Sequence, residues 1–176
     1  VAATHIISII GRKNAGKTTL TVALAAELGR RGLRVMTLKH GHHPATADRE
    51  GTDSWRHFEE ARAERTLFVG PETNILYTRA ADRYEPLPLI RQHLHGADVV
   101  LVEGYKRSAL PKIEVHREKS GPAIYDPVSP EATQWIALVT DTAHPNATCR
   151  VLRFTDTMWL QLLASIAMER ALVIDT

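Results

Sequence analysis

The chain has 176 residues, 44% of them hydrophobic, enough length and apolar content for a sizeable core in a single domain spanning 1–176. Lys and Arg total 22 against 20 Asp and Glu, a net charge of +2 with His neutral, which argues against nucleic acid or an anionic membrane as a principal partner. The one cysteine, Cys149, excludes an internal disulfide, no apolar run approaches the roughly 20 residues that cross a bilayer, and the first residues lack the charged-then-apolar pattern of a secretory leader, so a cytoplasmic location is expected.

Ile6–Ile10 is an apolar run that predicts a strand. It is followed by Gly11-Arg12-Lys13-Asn14-Ala15-Gly16-Lys17-Thr18-Thr19, and then by Leu20, Ala23, Leu24 and Leu28 at helical spacing. Gly29–Gly32 stops that helix, and Arg34–Leu38 predicts a second strand, making a βαβ unit that implies parallel pairing of the two strands with a right-handed crossover. Thr52 or Asp53 is placed to cap a helix running through Trp55, Phe58, Ala61 and Ala63, and for Asp53 capping is favoured over a metal contact. Thr66–Val69 and Asn74–Tyr77 predict two strands joined by a Gly70-Pro71 turn. A short helix is expected over Pro86–His95, and Asp98–Glu103 reads as a strand buried on both faces. Lys112–His116 alternates and predicts a half-buried strand. Ser120–Pro130 predicts a surface loop, Trp135–Val139 a buried strand, and Val151–Leu152 an edge strand. In the last segment Met158, Trp159, Leu162, Leu163, Ile166 and Met168 form a helical stripe, read as core packing over a partner site.

The glycine loop matches G-x-x-x-x-G-K-[ST], the Walker A pattern, at every fixed position and in the required strand–loop–helix context. Its backbone N–H groups and the positive end of the following helix suit a phosphate chain, to which Gly11, Asn14, Ala15, Gly16, Lys17, Thr18 and Thr19 would contribute. Lys17 brings charge to the β- and γ-phosphates, and the Thr18 hydroxyl suits Mg²⁺. Ligands of open α/β sheets gather outside the carboxyl ends of the strands. That rule adds Lys39–His43, Glu103–Lys106 and Asp141 to the loop, and it puts Asp98 on the far side of the sheet. Glu103 thereby becomes the candidate carboxylate for the metal, with Lys17 its partner in any chemistry, and the Gly104 N–H a candidate donor to the γ-phosphate. Lys39, His40, His42 and His43 suit an anion, either phosphate or a partner's. The three imidazoles also admit Zn²⁺ or Ni²⁺. Asp48 and Asp53 are candidates for a water-mediated metal contact or for capping. Asp141 is either an acceptor for guanine or a turn former, no N-K-x-D signature being present.

Taken together, Gly11-x4-Gly16-Lys17-Thr18-Thr19, Leu38-Lys39-His40-x-His42-His43, Gly51-x-Asp53-Ser54, Leu101-Val102-Glu103-Gly104-Tyr105-Lys106 and Pro111-Lys112-Ile113 resemble the MobB family of molybdopterin-guanine dinucleotide biosynthesis adapter proteins. The resemblance runs from about His5 to Asp141. It implies a three-layer α/β P-loop NTPase-type fold, with a mainly parallel sheet and an antiparallel extension that pairs with a second subunit. It also implies GTP and Mg²⁺ as ligands, weak GTPase activity at most, a homodimer, and assistance to a MobA-type guanylyltransferase that attaches GMP to molybdopterin. By motif, Thr18 and Glu103 would serve the metal; Lys39, His40, His42, His43 and Lys106 would meet nucleotide, pterin or partner; and Asp141 would sit near the base. The chain departs from the family pattern at Glu50–Ser54, which lacks a proline and a lysine, at Arg62, where a glycine is usual, and in the basic loop interior Arg12-Lys13-Asn14. Two other classes fit parts of the pattern: a metallochaperone GTPase using His40, His42 and His43, and a small-molecule kinase, for which no acceptor pocket or base is evident.

Overall fold

The computed structural model describes residues 3–41, 48–79 and 85–175. The chain divides into two compact units, residues 1–40 with 84–176, and residues 41–83.

The first unit is built on a sheet whose strands run β2 (Val35–Lys39), β5 (Val99–Glu103), β1 (Ala3–Gly11), β6 (Lys112–His116), β7 (Trp135–Thr140) and β8 (Arg150–Arg153), all parallel. A strand absent from the sequence reading, β9 (Leu172–Asp175), pairs antiparallel with Ala3–Ile6. It fits because β6 pairs with β1 only from Ser8 to Gly11 and leaves the first half of that edge open. Side chains alternate across β1 and β5 as the two-residue strand period requires. Ile7, Ile9, Val99 and Leu101 face α1 (Lys17–Arg30) and α4 (Trp159–Arg170), packing on Leu20, Leu24, Leu28, Leu163, Ala164 and Ala167. Ile6, Val100 and Val102 face the other way, toward Ile90 of α3 (Pro86–His93) and Leu110. Helices on both faces of a parallel sheet make the expected three layers.

In two elements of this unit the burial differs from the sequence expectation. All five residues of β6 are buried, because it lies between β1 and β7 with both faces covered. The polar residues that gave it an alternating look, Lys112 and Glu114, are inside. Burial lowers the pKa of the Lys112 ammonium, which donates to the Ser108 and Leu110 carbonyls and to Gln134 Oε1. Glu114 accepts from Ile124 N (2.6 Å), Tyr125 N (2.8 Å) and Trp135 Nε1 (2.8 Å). In α4 the buried face is Leu163, Ala164 and Ala167, while Met158 and Leu162 of the anticipated stripe are exposed. Trp159, Ile166 and Met168 of that stripe are partly buried and pack against the same core, as expected.

The second unit carries a short helix, α2 (Asp53–Trp55), that continues as a π-helical turn over Arg56–Glu60. Thr52, not Asp53, caps it, its hydroxyl accepting from Trp55 N. The helix stops before the expected Ala63, because Arg62 adopts φ 53°. β3 (Arg65–Val69) and β4 (Asn74–Thr78) form a two-stranded antiparallel sheet across the Gly70-Pro71 turn, as the sequence predicts.

Glu114 pins the segment 124–125 to the sheet, so Glu114→Gln, which turns an N–H donor toward other donors, is expected to lower unfolding free energy by about 2 kcal/mol. Urea denaturation would register this as a lower midpoint at unchanged slope.

Candidate functional site: the phosphate loop and its strand-end neighbours

The loop between β1 and α1 is shaped by close approach. A Cβ on Gly11 would lie 2.5 Å from the Val115 carbonyl oxygen of β6, so only glycine lets β1 leave the sheet there. Gly16, φ 104°, is the N-cap of α1 and supplies no side-chain cap. The first-turn N–H groups of α1 have no intrahelical acceptors, and they sit at the mouth of the loop. Lys17 folds back over it, with Nζ donating to Gly11 O (3.1 Å) and Arg12 O (2.9 Å). The Lys17 pKa is lowered, chiefly by burial; Glu103 opposes the shift and Lys39 adds to it.

β5 ends at Glu103, whose side chain is only 9% exposed. Thr18 Oγ1 donates to Glu103 Oε1 at 2.9 Å. Lys39, opposite Glu103 at the end of β2, brings Nζ to 3.3 Å from the same carboxylate oxygen and 3.4 Å from Thr18 Oγ1. The turn after β5 is fixed on both sides of Gly104: Ser8 Oγ donates to Gly104 O (2.8 Å), and Gly104 N donates to Ile9 O (3.0 Å). The Gly104 N–H is therefore committed to the sheet and is not aimed at a γ-phosphate. The His40 ring lies 4.7 Å from that of Tyr105, and His40 N donates to Glu103 O. Lys106 is exposed in the turn that follows.

The structure thus brings together Gly11–Thr19, Lys39, His40 and Glu103. Asp98 is at the opposite edge, accepting from Arg34 N at 2.7 Å. Asp141, at the end of β7, is engaged as a local anchor, with Oδ1 accepting from Glu118 N (2.9 Å) and Oδ2 3.9 Å from Arg117. His42 and His43 lie outside the described residues. In the second unit Asp48 accepts from Ser54 Oγ (2.7 Å), Thr52 Oγ1 (2.9 Å) and Arg49 N (2.8 Å), and the Ser54 bond is the main cause of its lowered pKa.

Sequence reasoning missed a group of residues at the ends of β6 and β7. Arg12 Nε donates to Pro122 O at 2.6 Å. His116 Nε2 lies 3.0 Å from Gly121 O, which can only accept, so the ring donates there, and its Nδ1 lies 3.0 Å from Thr140 Oγ1. His144 Nε2 stands 3.3 Å from the same Nδ1, and its pKa is lowered by desolvation and then by His116. The available signal was position: His116 ends the strand whose Val115 touches the phosphate loop.

Thr18 and Glu103 present hard oxygen donors of the kind Mg²⁺ takes, and a cationic group, the Lys39 ammonium, already rests against both. The residues therefore fit a magnesium–nucleotide ligand.

The model of the family described as molybdopterin guanine dinucleotide synthesis protein B, MobB, matches residues 6–141. Over 120 residues the chain is 36% identical to the molybdopterin-guanine dinucleotide biosynthesis adapter protein of Haemophilus influenzae, covering 65% of this chain and 64% of that protein. Over 109 residues it is 33% identical to the adapter protein of Escherichia coli, covering 60% and 62%. The matched stretch is thus somewhat under two thirds of each of these relatives' length. Among solved structures, Bacillus subtilis MobB is similar at TM-score 0.65 and 23% identity, with 92% of this chain and 97% of that one covered. A MobB homologue from Bacillus stearothermophilus is similar at TM-score 0.64 and 21% identity, with 94% and 99% covered. With its family-wide match running from β1 to the end of β7 and the same fold, the chain belongs to the MobB family.

Proposed function

We propose that this protein is a GTP-binding adapter for formation of the molybdopterin-guanine dinucleotide cofactor, acting in the cytoplasm beside a MobA-type guanylyltransferase that attaches GMP to molybdopterin. The observation that carries the reading is the Thr18–Glu103–Lys39 constellation beside a Walker A loop, in a chain of this family. The loop and the first turn of α1 would hold the phosphates by N–H donation, with Lys17 leaving its carbonyl partners to meet the β- and γ-oxygens. Thr18 and Glu103 would hold Mg²⁺, which supplies positive charge to the phosphates when bound. His40 and Lys106 face the same edge as contacts for nucleotide, pterin or partner. These are holding functions, and GTP hydrolysis at the site is expected to be slow.

The second unit supports a homodimer as the working form. Leu67, Phe68, Val69, Ile75 and Leu76 of its two-stranded sheet are all exposed, Val69 to 68%. An isolated two-stranded sheet is marginal in water, and an apolar surface of this kind is the usual mark of an interface. A second copy offers the same strands for pairing.

Loss of a charge-assisted phosphate contact is worth about 2–3 kcal/mol, or roughly 30- to 150-fold in affinity, and Lys17→Ala should weaken binding of a fluorescent GTP analogue by that much. Competition with unlabelled GTP and ATP tests the base: ATP is expected to displace the analogue at least about tenfold less well, and equal competition removes the guanine assignment. For the dimer, Leu67→Glu combined with Val69→Lys should raise the dissociation constant about 100-fold in sedimentation equilibrium, a size typical of losing central apolar anchors. A monomeric wild-type protein at micromolar concentration would sink the dimer reading.

A further inference from the structure

We propose that Lys39 is a tethered cation that occupies the metal position of the nucleotide-free site, so that the divalent ion enters with the nucleotide and not ahead of it. The inference rests on the magnesium–nucleotide reading of the site and adds an order of events to it.

Three observations point this way. First, Lys39 Nζ contacts the same two oxygens that suit the metal, Glu103 Oε1 at 3.3 Å and Thr18 Oγ1 at 3.4 Å. Thr18 gives its own proton to Glu103, so the lone pairs of its hydroxyl are what the ammonium meets, as they would be what a metal ion meets. Second, Glu103 is deeply placed, its side chain 9% exposed, whereas the Lys39 side chain is 62% exposed. A carboxylate so far from water needs a compensating cation at all times. Of the three groups only the lysine, on a flexible four-carbon stem at the edge strand β2, is free to move away. Third, the other lysine cannot take this place while it rests on the loop, because Lys17 Nζ is held by the Gly11 and Arg12 carbonyls.

The charges set the order. A free divalent ion approaching the empty site meets two ammonium groups against one carboxylate, and it must displace one of those ammonium groups without offering it a new partner. A triphosphate brings about four negative charges, which reverses the local sign. It gives the displaced Lys39 ammonium oxygens to bind, and the metal then takes Thr18 and Glu103. An ordinary exposed ion pair, by contrast, would neutralise Glu103 weakly and have no effect on the sequence of binding.

The test is a Mn²⁺ titration of the nucleotide-free full chain, followed by electron paramagnetic resonance, alongside binding of a fluorescent GTP analogue with and without Mg²⁺. Wild-type protein should bind free Mn²⁺ weakly. Lys39→Met should bind it at least about tenfold more tightly, the equivalent of removing one nearby positive charge. The gain should vanish when Glu103→Gln is added to Lys39→Met, and Lys39→Arg should retain wild-type behaviour. Without Mg²⁺ the Lys39→Met variant should also lose affinity for the nucleotide, since the phosphates lose a cation. If Lys39→Met binds free Mn²⁺ no more tightly than wild type, while wild type binds GTP with Mg²⁺, the tethered-cation proposal is overturned and the nucleotide site stands. A wild-type protein with no affinity for GTP overturns both.

Discussion

One hydrogen bond, from the Thr18 hydroxyl to the Glu103 carboxylate, ties the first turn of α1 to the end of β5 across 85 residues of chain. The working edge of the sheet depends on it and on the order of the strands beneath. β1 lies between β5 and β6, so the end of β1 has Glu103 beside Ile9 on one edge and Val115 beside Gly11 on the other. Gly11 is held against the Val115 carbonyl and Gly104 against Ile9. Loop, hydroxyl and carboxylate are therefore positioned by backbone pairing, which is stiff, and the mobile charges Lys17 and Lys39 are laid over them. The proposed nucleotide would gain from this division: fixed donors need no reorganisation, and the side chains that do move carry the charge.

The interior on the α3 side of β6 follows a different logic from the rest of the core. No α-helix covers that part of the sheet among the described residues; the segments 104–111 and 122–134, the latter ending in a short 3-10 turn over Pro130–Gln134, supply its partners. Irregular chain exposes N–H and C=O groups that a helix would satisfy internally. Lys112 supplies donors for the carbonyls of Ser108 and Leu110, and Glu114 accepts from the N–H groups of Ile124 and Tyr125. Two buried charges thus do for loops what hydrogen-bond ladders do for helices. Arg12 and His116 extend the same idea to the working edge, holding Pro122 and Gly121 near the phosphate loop. Among the described residues of the second unit the sheet has two strands, Leu67, Phe68, Val69, Ile75 and Leu76 are exposed, and Phe58 is half-buried against Tyr77 and Arg79.

The glycine loop, the two parallel strands flanking the first helix, the two-stranded extension and the placement of Glu103 and Asp98 at opposite edges were legible in the sequence, because each rests on local spacing or strand direction; the pairing of β1 with β2 that the βαβ unit implies does not form, since β5 lies between them. The family resemblance was legible for the same reason, its motifs being short and contiguous. The misplaced features share another cause. β6 alternates like a half-buried strand, and nothing local reveals that Lys112 and Glu114 find partners 2 to 22 residues away along the chain. Thr52 and Asp53 are equally good caps by composition, and the backbone turn at Thr52 chose between them. β9, only four residues long and close behind a helix, is too short to announce itself, and it fits because β6 leaves half of β1 unpaired.

By itself, then, the sequence determined the chemistry that is written in contiguous residues: a loop that only glycine permits, a lysine and a threonine at its end, and a carboxylate closing an apolar strand. Only the tertiary structure decided which charges face one another. It put the Lys39 ammonium on the oxygens suited to a metal, turned the Gly104 N–H into the sheet, gave Asp141 to Glu118 and Arg117, and buried Lys112 and Glu114. The physical reason is that a charge takes its role from what it approaches within about 3–4 Å, and in a parallel sheet those neighbours come from strands that are distant in sequence.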